Sequence, residues 1–235
     1  KICFTGSFYS PDHPESDTSL SLLAALEFSL SPHPSNGVYV AFRSNRYNSE
    51  AHILNGESLK PMVFDDVCFQ SAYGSVVSVF SPKIGISSDI SLSSQSIPHL
   101  ESEVIPSQEQ LKYAASRVAY IRLHPGIDIE MLKVLVENKD ILIIEMYHSG
   151  TGPAGKSSEL VSFLQKASLN TTILMGTFPK EYIDVPYDST LALKSAGAKV
   201  YSDLQTHYLY VLSVLTIASN MDVDKLSQTL SSFEL

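Results

Sequence analysis

The segment Ile141 to Met146 reads as a continuous apolar strand, and it constrains the fold more than any other feature of the chain. A strand without an alternating polar face belongs in a parallel sheet covered on both sides. The flanking segments supply the cover. Val118 to Leu123 reads as a strand, and His124-Pro125-Gly126 as a turn. Asp128 is placed to cap a helix carrying Met131, Leu132, Leu135 and Val136. After Met146 come a glycine-rich loop, Ser149 to Gly155, and a helix with Leu160, Phe163 and Leu164. Thr172 to Met175 reads as a strand, and Leu191 to Ala196, Leu204 to Ser219 and Asp222 to Phe233 as helices. Alternating strands and helices are built most economically as right-handed βαβ units on a parallel sheet.

The first half carries the same pattern less evenly. Ile2 to Thr5 reads as a short buried strand stopped by Gly6. A polar stretch of turn formers, Ser10 to Asp17, follows. Leu20, Leu22, Leu23, Leu26 and Leu30 then recur at helical spacing, with Asp17 or Thr18 placed to cap the start. Pro32 and Pro34 end that helix, and Gly37 opens a strand from Val38 to Phe42. Beyond Arg43 the signal is poor. Short strands are expected at Met62 to Phe64, Ser75 to Phe80 and Ile84 to Ile90.

The expected architecture is therefore α/β. A mostly parallel sheet lies in an N-terminal lobe of residues 1–80, a serine- and proline-rich connector spans 81–115, and a smaller α/β C-terminal lobe spans 116–235. A net charge of −9 argues against a nucleic-acid partner. No apolar stretch reaches the ~20 residues of a bilayer span. Two cysteines, Cys3 and Cys68, cannot form a disulfide framework, so a reducing, cytoplasmic compartment is the default expectation. The chain opens on a strand-like run with no methionine or leader, which reads as the middle of a protein.

Two loops could carry chemistry. Gly150-Thr151-Gly152-Pro153-Ala154-Gly155-Lys156-Ser157 fits the template G-x-x-x-x-G-K-[ST], whose backbone N–H groups cradle phosphates. However, a strand and a helix of the lobe precede it, and no downstream apolar strand ends in aspartate to hold magnesium. The other loop begins Gly6-Ser7 after the first strand and ends at Asp17. A hydroxyl and a carboxylate there suit a small polar substrate at a strand's carboxyl end. Equally, Ser7 can satisfy a turn and Asp17 can cap a helix. His52, His124, His148 and His207 show no metal-ligand spacing, so no metal site is expected. His148-Ser149 is the one pairing suited to a Ser-His hydrolase, and no G-x-S-x-G elbow accompanies it.

The run Lys1-Ile2-Cys3-Phe4-Thr5-Gly6-Ser7-Phe8-Tyr9-Ser10-Pro11, then Ser16-Asp17, Leu22-Leu23-Ala24-Ala25-Leu26 and Gly37-Val38-Tyr39-Val40-Ala41-Phe42, resembles the bacterial-type L-asparaginase family. That family shows a strand ending in T-G-[AS], an arginine-proline loop, S-D, an N-L-x-x-A helix and a G-V-x-V strand. Ala72-Tyr73-Gly74 resembles its Y-G-x-[LV] turn. Val118 to Gly126 and Glu145 to Gly152 resemble its smaller C-terminal domain. The resemblance places the P-loop-like match on the family's own glycine-rich loop.

The resemblance implies a two-domain α/β fold and hydrolysis of a side-chain amide, asparagine to aspartate plus ammonia. A threonine attacks the carbonyl, a second threonine with an aspartate and a lysine manages the proton, and water cleaves the acyl-enzyme. No cofactor is implied, and a homo-oligomer is. The nucleophile's T-G-G-T segment and the H-G-T-D-T segment both fall before Lys1. The V-T-K-T lysine maps to Ser49–Gly56, which has none, and Lys60 is out of register. Tyr9 or Ser10 replaces the loop arginine, and Pro153 or Ala154 the glycine-loop asparagine. Gly6 and Ser7 carry over as substrate-binding residues and Gly150, Thr151 and Gly152 as the glycine-rich loop, with no catalytic residue assigned. Three functions follow: an amidohydrolase seen without its nucleophile segment and inactive as this chain alone, a degenerate relative with a binding or architectural role, or a P-loop nucleotide-binding protein.

Overall fold

A computed structural model describes residues 1–32, 36–45, 47–56, 59–61, 69–71, 76–87, 105–147, 150–155, 158–176, 186–202 and 204–235. The chain divides into two units, Lys1–Ile97 and Pro98–Leu235. The first holds β1 (Ile2–Thr5), α1 (Thr18–Leu30), β2 (Val38–Arg43), β3 (Ala51–Asn55), β4 (Leu59–Pro61), β5 (Phe69–Ser71), β6 (Ser78–Ser81) and β7 (Gly85–Ile86). Its main sheet has the order β1-β2-β3-β6-β7, and β4 pairs with β5 separately.

This first sheet is mixed rather than mostly parallel. β1 and β2 run parallel, joined across α1. The pairs β2/β3, β3/β6 and β6/β7 run antiparallel. The connection from Arg43 to Ala51 is too short for a crossover, which needs a dozen or more residues. It therefore turns straight back, and the poorly patterned stretch after Arg43 becomes β3. The Met62–Phe64 expectation and residues 88–90 of the Ile84–Ile90 expectation lie outside the described residues.

The expectation of a buried first strand is corrected, and the packed face of α1 is resolved. β1 lies at the edge of the described sheet, with Ile2 59% and Phe4 61% exposed, so it is not a buried strand. Only its Cys3 side packs inward, and burial pushes that thiol's pKa up. In α1 the buried residues are Ser21, Ala24, Ala25 and Phe28, with Leu20 packed beside them, while Leu22, Leu23, Leu26 and Leu30 are exposed. Small side chains let the helix lie close to Tyr39, Ala41 and Ile53, with Phe28 edge-on to Tyr39 at 4.8 Å.

His52 on β3 sits opposite Phe42 and Val79. Burial holds its pKa below the usual 6.5, with Glu50 opposing in part. A depressed histidine favours the fold while neutral. Its contribution is complete above the unfolded value and is lost as pH falls through 6.5 towards the folded one. The melting temperature should therefore fall between pH 7 and 5.5, with a shallower slope for His52→Gln by calorimetry. Equal slopes would remove His52 from the acid response.

The second unit contains α2 (Gln108–Arg117), β8 (Val118–Arg122), α3 (Ile129–Leu135), β9 (Ile141–Glu145), α4 (Glu159–Ala167), β10 (Thr172–Gly176), α5 (Asp188–Ser195), β11 (Ala198–Tyr201), α6 (Thr206–Ala218) and α7 (Val223–Thr229). Its sheet, ordered β11-β10-β9-β8, is wholly parallel. Leu142 and Ile144 of β9 face Leu132, Leu160, Phe163, Leu164 and Leu193 of α3, α4 and α5. Ile141 and Ile143 face α2, α6 and α7 through Ala114, Leu209, Leu212 and Leu226. The strand is thus covered on both faces, as its composition requires. α2 groups with this unit. α2 begins inside the expected connector, started by a reciprocal capping box between Ser107 and Gln110. Asp128 caps α3 as expected, accepting from the Glu130 N–H. Among the described residues no helix is long and apolar enough to cross a membrane.

Candidate functional site

The β1–α1 loop is built around a buried carboxylate. Asp17 stands at the N-cap position of α1 and is 4% exposed, but its side chain does not cap the helix. It accepts instead from the backbone N–H of Phe8 at 2.9 and 3.1 Å and of Tyr9 at 3.2 Å. Charge-assisted bonds of this kind are roughly twice as strong as neutral ones, so the loop folds back onto its own end. The Ser7 hydroxyl donates to the Tyr9 carbonyl at 2.7 Å, leaving its lone pairs as acceptors. Gly6 is needed for close approach: a Cβ there would lie 3.0 Å from Cε2 of Phe42. Phe42 in turn packs edge-on against Phe8 and Phe69. Gly6, Ser7 and Asp17 are thus brought together at the carboxyl end of a parallel strand, where open α/β sheets bind ligands.

The glycine-rich loop lies in the other unit, after β9. Gly150 has φ +68°, and its carbonyl accepts from the buried Thr190 hydroxyl at 2.7 Å. Its N–H donates to Tyr147, and Tyr147 N–H donates to Thr151. Gly152 admits the side chains of Leu123 and Leu193, which a Cβ would meet at 2.9 and 3.0 Å. Beyond the loop a shallow cavity of about 440 Å³ is lined by Pro125, Ile127, Ile129, Pro153, Gly155, Ser158, Glu159 and Leu160.

Lys156, Ser157, His148 and Ser149 lie outside the described residues. Around them, the Gly150 and Ala154 N–H groups are spent on bonds within the loop. Ser158 caps α4, and Glu159 puts a negative charge in its first turn.

A polar cluster at the carboxyl ends of β8 and β9 is one that sequence pattern alone does not reveal. The Tyr120 hydroxyl donates to Glu145 and lies 3.3 Å from Oγ1 of Thr206, the first residue of α6. Arg122 Nε lies 3.2 Å from Glu145 Oε1. Burial, then Glu145, raises the Tyr120 pKa, so the phenol stays protonated near neutrality. Burial lowers His207, with Glu145 opposing. The available signal was Glu145 itself, a carboxylate ending an otherwise apolar strand. Among the described residues no group of three or more His, Cys, Asp or Glu could hold a metal.

No protein-family model matches the chain. It is 27% identical, over 141 and 144 residues, to one of the subunits of glutamyl-tRNA(Gln) amidotransferase from two Methanococcus maripaludis strains, C5 and S2. Each match covers 58% of this chain and 32% of the relative, so it spans about a third of their length. Among solved structures, the L-asparaginase of Thermococcus kodakarensis aligns with TM-score 0.67 at 18% identity, over 97% of this chain and 65% of that one. L-asparaginase I of Vibrio cholerae aligns with TM-score 0.68 at 19% identity over the same shares. A probable cytoplasmic L-asparaginase of Campylobacter jejuni gives 0.58 at 14%. The chain has the α/β fold of the L-asparaginases, and its likeness to them extends over nearly all of its length.

Proposed function

We propose that this chain is part of an amidohydrolase of the asparaginase type, cleaving a side-chain amide to a carboxylate and ammonia. The observation that supports it is the order of elements shared with L-asparaginases over 97% of the chain. L-asparaginases and the amidotransferase are alike named for the handling of an amide nitrogen. In such chemistry a threonine oxygen bonds to the amide carbon, and the nitrogen leaves as ammonia with the threonine's proton. Water then cleaves the ester and restores the hydroxyl. No residue of this chain is assigned as the nucleophile. Ser7 is proposed to accept from the substrate, with Gly6 and Asp17 shaping its loop; Gly150, Thr151 and Gly152 are proposed as the glycine-rich loop of the C-terminal unit. The working protein is proposed to be a homo-oligomer.

Ammonia release from asparagine and glutamine tests the reading. The 235-residue chain alone is expected to release none. The intact encoded protein is expected to release ammonia, and Ser7→Ala to raise its KM about tenfold through one lost hydrogen bond. An intact protein that carries T-G-G-T and T-D-T segments and is silent would sink the enzyme reading. A catalytically degenerate relative with a binding or architectural role would then stand. One observation favours that second reading: the stretch that should hold the catalytic lysine is β3, with Ala51, His52 and Ile53 and no lysine.

A further inference from the structure

Seven asparagines are spread along the chain, and two of them, Asn36 and Asn55, precede glycine. An asparagine amide is open to attack by the backbone nitrogen of the next residue, and a side chain on that residue obstructs the approach. Glycine has none and leaves the backbone free to turn. The two dipeptides meet at one corner of the N-terminal unit. Asn36-Gly37 leads into β2, and Asn55-Gly56 leaves β3 beside it, with Asn55 paired to Tyr39. A difference in their reactivity therefore comes from how each is held.

Asn55 is held. It lies in the antiparallel ladder, where extended backbone keeps the next nitrogen away from the side-chain carbonyl carbon. Gly56 is pressed against β2: a Cβ there would lie 3.0 Å from the Val38 carbonyl oxygen. Ring closure at Asn55 has to break this pairing first. Asn36 is exposed and lies outside the ladder. Among the described residues its side chain has no hydrogen-bond partner, and neither has the Gly37 N–H, the attacking group.

We propose that Asn36-Gly37 is a self-modification site, where the folded chain deamidates while Asn55-Gly56 persists. The Gly37 nitrogen bonds to Cγ of Asn36 and gives up its proton. The C–N bond of the side-chain amide breaks, and its nitrogen leaves as ammonia with that proton, carried over by solvent. Water then opens the succinimide at either carbonyl, giving aspartate or isoaspartate. The sum is one water consumed and one ammonia released per chain. A carboxylate replaces a neutral amide, which takes the net charge from −9 to −10. In the isoaspartyl form the main chain runs through the β-carbon of residue 36 and is one atom longer. The Gly37 carbonyl accepts from the Ile2 N–H at 3.0 Å, so the change falls on the first rung between β1 and β2. β1 is the strand that ends at Gly6.

Peptide mapping by mass spectrometry tests this on the 235-residue chain, aged in warm, mildly alkaline buffer. The peptide holding Asn36 should gain the mass of an acid over an amide and split into aspartyl and isoaspartyl forms. The peptide holding Asn55 should react at least about tenfold more slowly, the factor that 1.4 kcal/mol of opening free energy gives. In guanidinium chloride, which dissolves the ladder, the two should react at similar rates. Asn36→Gln, whose longer side chain closes a less favourable ring, should abolish the change at residue 36 and leave Asn55 as slow as before, with circular dichroism checking its fold. The ammonia appears once per chain and without added asparagine, which separates it from turnover. An Asn36 peptide that keeps its mass, or equal rates at the two sites in the folded chain, overturns the proposal. A difference that persists in guanidinium chloride makes local sequence the cause and overturns it as well.

Discussion

Leu142→Ala is expected to cost the C-terminal unit about 3–4 kcal/mol, near the middle of the range for leucine truncation in a packed core. Leu142 is fully buried in β9, between Ala119 of β8 and Ile173 of β10. It packs in the cluster formed with α3, α4 and α5. Its neighbours are held by the backbone ladder on both sides, so the site can collapse little and most of the removed volume remains as a cavity. In urea, with a slope of ~2 kcal/mol/M, the unfolding midpoint of this unit should drop by roughly 1.5–2 M. Leu191→Ala on the exposed side of α5 is the control and should move it by less than about 0.5 kcal/mol. A Leu142→Ala loss below about 1 kcal/mol would mean that β9 is not the centre of the core.

The same strand shows why the second half of the chain was readable. Its composition demanded cover on both faces, and parallel pairing with helices on either side is the arrangement that supplies it. β11 escaped notice because Ala198 to Tyr201 is short and alternates with Lys199, and its start is set by Gly197 at φ +96°. α2 hid in a serine-rich stretch where only the capping box announced it. In the first half the leucines of α1 gave the correct helix but no face, because helical periodicity does not say which of two apolar faces meets a sheet. Alanines and Phe28 won that contest through close approach. The mixed pairing of the first sheet is fixed by connection length, which hydrophobic pattern does not report. At the site, Gly6 and Ser7 were legible as a strand-end turn. The use of Asp17 was not: N-cap statistics pointed its carboxylate at α1, whereas tertiary folding of the loop brought two better donors to it.

Asp17→Ala should therefore do more than fray a helix. Capping residues replaced by alanine cost about 1 kcal/mol. Here the carboxylate holds two backbone N–H groups nine and eight residues away, at 2.9–3.2 Å. Hydrogen bonds to a charged group contribute about 1.5–3 kcal/mol each, and removing the acceptor strands both donors. A loss of about 3 kcal/mol from the N-terminal unit is expected. Asp17→Asn keeps one acceptor oxygen without the charge, so about half that loss is expected. Hydrogen exchange separates this role from capping. The Phe8 and Tyr9 amides should be protected in the wild type, exposed in Asp17→Ala and intermediate in Asp17→Asn, while the amides of mid-helix α1 residues such as Ala24 change little. The Ser7 hydroxyl, tied to Tyr9, would lose its fixed direction with the loop. On the proposed amidohydrolase reading, the intact protein's KM should then rise in Asp17→Ala at least as far as in Ser7→Ala. If α1 loses protection while Phe8 and Tyr9 keep theirs, Asp17 is a helix cap after all, and the loop draws its order from Gly6 and Phe42.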